Sequence, residues 1–338
     1  CEHLDEPQLK LVQDAFGVSP EGNFEGKNIL VLQPGHSRAE RDDALRSVMD
    51  RLFEIRERRV HPHLDDKILA DWNGLMIAAF ARAGRVLDEP RYVEAARRAA
   101  EFVLSEMRDE EGELLHRWRE GQAGIRGFLQ DYAYLIHALL ELYQTDFDPA
   151  WLDTARALQS KQDALFLDES VGEYRPPDGR DDTVLFRRTE YMDNVRPAGR
   201  SVTAENLQIL GGLTVDPSLE QRAAGVFSNT PDLIGRAPHA FSRLLIALDR
   251  ALDRSKEVAL VGHPGQAPVK GWVDSLERHF LPNKVVAAGP AAEDSRVPLL
   301  ANRPAKDGKP TAYVCEDHVC KLPVSEEAAL LELARTHR

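Results

Sequence analysis

The amino-acid sequence predicts a mainly α protein, a partial (α/α)6 toroid of helical hairpins with a small C-terminal α/β appendage. Three observations predict it. A unit of apolar helix, short turn and second helix opened by Asp-Pro or Glu-Pro recurs three times. The first helix of each unit is the more apolar and the second the more charged. After about residue 254, short apolar runs alternate with helical ones, a different texture from the repeats.

Residues 1–36 read as a connecting segment from an N-terminal part that the chain lacks, residues 37–253 as the hairpin toroid, and residues 254–338 as the α/β region. The first unit is Trp72 to Leu87 followed by Asp88-Glu89-Pro90-Arg91-Tyr92. The second is Phe128 to Tyr143 followed by Asp148-Pro149-Ala150-Trp151. The third is Val202 to Leu213 followed by Asp216-Pro217-Ser218-Leu219. Proline suits a first helical turn because its missing N–H would have been unpaired there. The carboxylate before it can accept from amides one turn in and favours the positive end of the helix dipole. Trp72, Leu75, Met76, Ala79, Phe80, Ala83 and Leu87 follow the helical period and are expected to form the core face of the first helix.

Gly112 to Arg117 and Gly172 to Arg175 follow second helices and read as strands or hairpins. Another helix, Arg236 to Leu252, carries Phe241, Leu244, Leu245 and Leu248 on one face. Stacked hairpins bury their apolar faces by closing a ring or forming a solenoid. In the tail, Glu257 to Gly262, Lys284 to Ala287 and Thr311 to Val314 read as strands. Val269 to Phe280 and Ser325 to Arg335 read as helices, the latter without a Glu placed for a capping box. Gly262-His263-Pro264-Gly265 fits no phosphate-loop spacing and reads as a turn.

The 338 residues are 43% hydrophobic and 29% charged, with a formal net charge of −13. That balance argues against nucleic acid or an anionic membrane as main partner. No apolar run approaches the roughly 18 residues a bilayer span needs. The chain opens with Cys1 and shows no signal-peptide pattern, so a cytoplasmic location is expected if the missing N-terminal part carries no targeting signal. Three cysteines, Cys1, Cys315 and Cys320, are too few for a disulfide-built fold.

A polar cluster precedes or opens each apolar helix at the same phase. The first runs from His61 to Lys67 and on through Asp71-Trp72-Asn73-Gly74. The second is Gly127-Phe128-Leu129-Gln130-Asp131-Tyr132, and the third is Asp193 to Ser201. In a ring of hairpins these helix starts emerge at one end, where free N–H groups and dipoles suit polyhydroxyl or anionic ligands. The candidate binding residues are Asp65, Lys67, Trp72, Asn73, Tyr132, Asp193, Asn194 and Ser201. Asp66, Asp131 and His63 are the catalytic candidates, with His61 and His116 as further acid–base groups.

Each has a structural reading beside it. Asp65, Asp66 and Lys67 suit a helix start, and Asp131-Tyr132 an inter-hairpin hydrogen bond. Asn194 and Ser201 suit turns and caps, and Trp72 a core. No metal-ligand spacing and no nucleophile elbow appears, so no metal or cofactor is expected. A hairpin can bring Cys315 and Cys320 within disulfide range; buried structural thiols are the plainer reading, and a zinc site needs further ligands.

The runs His63 to Met76 and Gly127 to Ala133 closely resemble the spermatogenesis-associated, thioredoxin-domain-containing protein family. So do Gly22-Asn23-Phe24-Glu25-Gly26-Lys27-Asn28 and Ala312-Tyr313-Val314-Cys315 with Cys320, which together span essentially the whole chain in the family's order. The resemblance implies a longer protein in which a thioredoxin-like domain precedes a toroid similar to N-acylglucosamine 2-epimerases and six-hairpin glycosidases, with this chain as the back half. The family usually shows Pro-Ser-Gly-Asn-Ser where this chain has Pro197-Ala198-Gly199-Arg200-Ser201. Three functions follow as expectations. One is a carbohydrate-processing enzyme, either epimerase- or isomerase-like through His63 or His116, or glycosidase-like through Asp66 and Asp131. Another is a non-catalytic scaffold that binds a sugar-like ligand or client and works with the thioredoxin-like domain. The third is a degenerate toroid kept for structure, in which no pocket ligand raises the melting temperature.

Overall fold

The computed structural model describes residues 3–36, 43–176, 189–253, 255–293 and 295–335. The chain divides into two compact units, Cys1–Asp66 and Lys67–Arg338. Cys1 and the expected boundary residues 37 and 254 lie outside the described residues.

In the first unit, α1 (Glu6–Phe16) opens with a reciprocal cap in which Asp5 and Gln8 each accept from the other's amide. Val12, Ala15 and Phe16 from α1 cluster with Leu45 and Val48 from α2 (Asp43–Glu57). The Gly22–Asn28 motif is a loop closed by two asparagines. Asn23 donates to the Ile29 carbonyl and accepts from its amide, both at 2.8 Å, and Asn28 does the same with Ser19 at 2.8 and 3.0 Å.

The second unit begins with β1 (Ile68–Leu69), α3 (Ala70–Leu87) and α4 (Pro90–Glu106). Next come β2 (Leu115–Arg119) and β3 (Gln122–Arg126), an antiparallel hairpin with β1 on the free edge of β2. The hairpin of α5 (Leu129–Asp146) and α6 (Pro149–Phe166) follows, then the small β4 (Leu167–Asp168) and β5 (Glu173–Tyr174). α7 (Gly199–Thr214) and α8 (Pro217–Ser228) form the third hairpin, before the short α9 (Pro231–Arg236) and α10 (Ser242–Leu252). The remaining elements are β6 (Lys256–Val261), α11 (Val269–Arg278), β7 (Lys284–Gly289), β8 (Thr311–Glu316), β9 (Val319–Cys320) and α12 (Glu327–Ala334).

Helices α3, α5, α7 and α10 pack in series, and α4, α6 and α8 back α3, α5 and α7 respectively. This is an arc of αα hairpins, the mainly helical toroid architecture that the repeat predicts. The repeat extends to the backbone of the turns. Asp88, Phe147 and Val215 end α3, α5 and α7 in the left-handed conformation, at φ of 52°, 60° and 54°. Asp148 and Asp216 then cap the following helices, accepting from Ala150 at 2.9 Å and Ser218 at 3.0 Å. Glu89, with its longer side chain, makes no such bond.

The core face of α3 differs from the expected one. Asp71, Gly74, Ile77, Ala78, Ala81 and Gly84 are buried, while Trp72, Met76 and Leu87 are 64%, 51% and 66% exposed. Close approach decides this. A Cβ on Gly74 would lie 2.7 Å from the Tyr134 carbonyl carbon, so small residues, not large ones, face α5. α5 and α7 sit inside the arc and are buried on nearly all sides. They also carry the C-terminal sheet, of order β7-β6-β8-β9 with β7 parallel and β8 antiparallel to β6. Val285 of β7 fills the space above Gly212, and Gln144 of α5 accepts from the Val286 amide at 3.0 Å.

Cys315 and Cys320 face each other in the β8–β9 register and are joined as a disulfide, with Cys315 buried and Cys320 exposed. That replaces the expectation of buried free thiols: antiparallel pairing puts the two side chains directly opposite.

Candidate functional site

The first turns of α3 and α5 meet the segment that leads into α7, and the groups that meet are charged. Asp71 and Asp131 occupy the first turns of their helices, where free amides and the helix dipole favour a short carboxylate. Asp131 is fully buried at 0% exposure. Its oxygens accept from the Asp71 amide at 2.9 Å, the Phe128 amide at 2.7 Å, and His116 Nδ1 at 3.0 and 3.1 Å. Asp71 accepts from the Trp72 amide at 2.8 Å and forms an ion pair with the Arg196 guanidinium. Tyr134, farther along α5, donates its hydroxyl to the Pro197 carbonyl and so ties the third segment to the second helix.

His116 projects from β2, with 19% of its side chain exposed. Because Asp131 takes Nδ1, the proton on that nitrogen is fixed, and among the described residues Nε2 has no partner. The hydrogen bond to Asp131 pushes the imidazole above its ordinary value; burial opposes this, and the charges of Asp131 and Asp71 reinforce it. Burial, then the neighbouring Asp131 charge, pushes the Asp71 carboxyl up; the Trp72 amide, Arg196 and His116 pull the other way. Burial raises the Tyr134 hydroxyl, which therefore stays a proton donor. The ring of Phe128, 48% exposed, meets the imidazole edge-on at 5.0 Å between centroids. The product is an oriented imidazole with one nitrogen free, backed by a buried carboxylate, next to a paired guanidinium. Such a group can take or give one proton at a fixed position.

A carboxylate oxygen each from Asp71 and Asp131 and a ring nitrogen of His116 lie within 4.8 Å of one another, a spacing open to a metal ion. Here Arg196 already supplies the positive charge on Asp71, and the imidazole Nδ1 faces Asp131. The Asp71 charge is thus balanced by Arg196, and Asp131 is held by two backbone amides and the imidazole Nδ1.

The remaining sequence candidates fall in three groups. His63, Asp65 and Asp66 are exposed members of the first unit, and Lys67, also exposed, opens the second. Trp72 presents its ring to solvent, which sets aside the core reading. The others serve the backbone or the interior. Asn73 donates to the Leu69 carbonyl at 2.9 Å, and the Tyr132 hydroxyl accepts from the Leu114 amide at 2.8 Å. Asp193 accepts from Ala198 at 2.8 Å and from Arg243 at 2.7 Å, holding the start of α7 to that of α10. Asn194 is exposed and closes its own turn on the Val195 amide at 2.9 Å, and Ser201 is fully buried. Arg200, where the resembling family carries Asn, is buried against Glu173 at 2.6 Å and the Val226 carbonyl at 2.8 Å. Its charge is turned away from the cluster into an interior ion pair.

Asp71 and Arg196 belong to the first and third polar clusters of the sequence but are not among its individual candidates. The signal for Asp71 is the repeat itself, since Asp71-Trp72 and Asp131-Tyr132 are the same Asp–aromatic step in successive units. Arg196 has only its place in the third cluster as a signal, because its partner is 125 positions away.

No family model matches the chain. The chain is a homologue of spermatogenesis-associated protein 20. It is 30% identical to the human protein over 337 residues, 93% of this chain and 43% of that one. It is 29% identical to the rat protein, over 96% of this chain and 45% of that one. It thus spans less than half the length of these curated relatives. Among solved structures, a cellobiose 2-epimerase from Bacillus thermoamylovorans aligns with TM-score 0.42 and 19% identity, over 50% of this chain and 45% of that one. A family 76 glycoside hydrolase from a bovine Bacteroides thetaiotaomicron strain aligns with TM-score 0.41 and 17% identity, over 56% and 42%. No described helix is long and apolar enough to cross a membrane.

Proposed function

We propose that this homologue of spermatogenesis-associated protein 20 binds a sugar-like polyol at the starts of α3 and α5 and moves a proton on it through His116 Nε2. The observation that carries the reading is the buried Asp131–His116 pair, which fixes the tautomer and leaves the outer nitrogen available. The reaction class is isomerisation or epimerisation beside a carbonyl. Neutral His116 removes a proton from the carbon next to the carbonyl, and the electron pair moves onto the carbonyl oxygen to give an enediolate. Arg196 balances that oxyanion. In isomerisation His116 delivers the proton to the former carbonyl carbon and the adjacent hydroxyl proton passes to the oxyanion; in epimerisation the enediolate turns its other face to His116 before the proton returns. Exposed Trp72 and Phe128 offer apolar faces for a sugar ring. Asp131 is a positioning residue, acting through His116.

The glycosidase version draws less support. Two carboxylates facing the ligand at about 5 to 9.5 Å are needed for it, and Asp131 has no exposed surface and gives both oxygens to protein donors. Partnership with a thioredoxin-like domain in the full-length protein stays within the proposal.

The test uses full-length protein with a panel of aldoses and ketoses in deuterated water, read by proton NMR. The expected result is deuterium incorporation at the carbon beside the carbonyl, reduced by about 10²–10⁴-fold in His116→Gln, with ligand-induced thermal stabilisation retained. Saturable sugar binding without any exchange in the wild type overturns the catalytic reading and favours the scaffold.

A further inference from the structure

At the far end of α7, a cavity of about 200 Å³ opens between α7, α8, the end of α10 and β6. Gln208 and Gly212 line it, more than two helical turns beyond the α7 start where the His116 cluster gathers, so it is a separate place. Glu220 of α8, Glu257 of β6 and His318 of the β8–β9 turn converge at this wall. One carboxylate oxygen from each glutamate and one imidazole nitrogen all lie within 4.8 Å of one another.

Glu257 is only 4% exposed, and its Oε2 has no hydrogen-bond partner. His318 Nε2 is likewise without a hydrogen bond and stands 3.4 Å from Glu220 Oε1. Gln208, 9% exposed, lines the same cavity, and its Oε1 is a third buried acceptor without a partner. A buried acceptor left unpaired costs about 1–3 kcal/mol, and a cation between Glu257 and His318, with its water toward Gln208, satisfies all three together. Charge agrees. Glu220, Asp253, Glu257 and Asp317 line the cavity against Arg250 and Lys256, and Lys256 is already paired with Glu316. Burial pushes the Glu257 carboxyl up to about 7, opposed by the charge and backbone amide of His318.

The turn that presents His318 is unusual for its residues. Asp317 and His318 are both left-handed, at φ of 48° and 63°, where a two-residue hairpin normally carries Asn-Gly. Each such residue costs about 1–2 kcal/mol without glycine. The disulfide between Cys315 and Cys320 closes this turn at its base. The chain thus keeps an imidazole where the backbone prefers glycine.

We propose that Glu220, Glu257 and His318 bind a divalent transition-metal ion, of the zinc or manganese type. One imidazole and two carboxylates make a three-ligand set that leaves a position for water, which Gln208 Oε1 would receive from the cavity side. The metal holds α8, β6 and the β8–β9 turn together. The site stands independently of the His116 chemistry.

The test is calorimetric titration of the intact, chelator-stripped protein with zinc and then manganese chloride, paired with thermal melts. One-to-one saturable binding with a raised melting temperature is expected. Glu257→Gln and His318→Ala should each weaken it by more than the roughly 10–100-fold that loss of an outer-shell partner brings, as should Glu220→Gln if one of those variants misfolds. His116→Gln keeps wild-type affinity. Cobalt(II) substitution should give ligand-field bands without a thiolate charge-transfer band, which rules out Cys1 as the ligand. Absence of saturable binding by folded wild type, or equal affinity in the glutamate and histidine variants, overturns the proposal.

Discussion

His116 owes its protonation behaviour to Asp131, and that dependence is measurable in the absence of any substrate. The hydrogen bond to Asp131 raises the imidazole above about 6.5 in the folded chain only. A raised folded value means that the pair stabilises the fold fully below the unfolded histidine value and loses that contribution as pH rises through the folded one. Asp71, also raised, works in the same direction at more acid pH. Asp131→Asn should therefore lower the His116 titration midpoint by NMR. It should also destabilise the chain by about 1–3 kcal/mol, since three donors lose a charged acceptor, with the larger loss at pH 5.5 than at pH 8.5 by denaturant unfolding. An unchanged midpoint would detach Asp131 from the imidazole. At this scale sequence was a partial guide. Asp131 and His116 were visible as polar residues near apolar helices, but Tyr132, Ser201 and Asp193 share that visibility and turn inward or onto backbone amides. Which side of a helix faces the ligand depends on how closely its neighbour packs, and Gly74 settles that for α3 only once Tyr134 is beside it.

The helical elements were largely legible, because period, proline and carboxylate report on local backbone. Asp148-Pro149 and Asp216-Pro217 open α6 and α8 as their capping chemistry requires. Less legible was the left-handed residue that closes each inner helix, since Asp88, Phe147 and Val215 share no side-chain type. Val215 is the informative one. A β-branched residue is poorly suited to positive φ, where helices usually place glycine, and Val215 is 39% exposed. Val215→Gly should then stabilise the α7–α8 hairpin by about 1 kcal/mol, seen as a higher denaturant midpoint at unchanged slope. A destabilised variant would mean that Val215 packing outweighs the backbone cost.

Across the second unit, the arc leaves α3 with an uncovered apolar side formed by Trp72, Met76, Val86 and Leu87, each at least half exposed. Contiguous apolar surface of this kind promotes association, against which the net charge of −13 supplies only general repulsion. Sedimentation velocity should show concentration-dependent self-association of the chain, reduced in Met76→Lys with Leu87→Lys. A monomer at all concentrations would show that this face is tolerated in water. The sheet at the other side of the arc avoids the same fate by a small device. β7 is an outer strand, yet α5 and α7 lie along it and Gln144 already occupies the Val286 amide. That margin is largely buried and has its central donor occupied, while β9 at the opposite margin is only two residues long. Whatever association the chain undergoes is thus steered away from sheet extension and amyloid-type growth, and toward contacts between helices, which can be reversed.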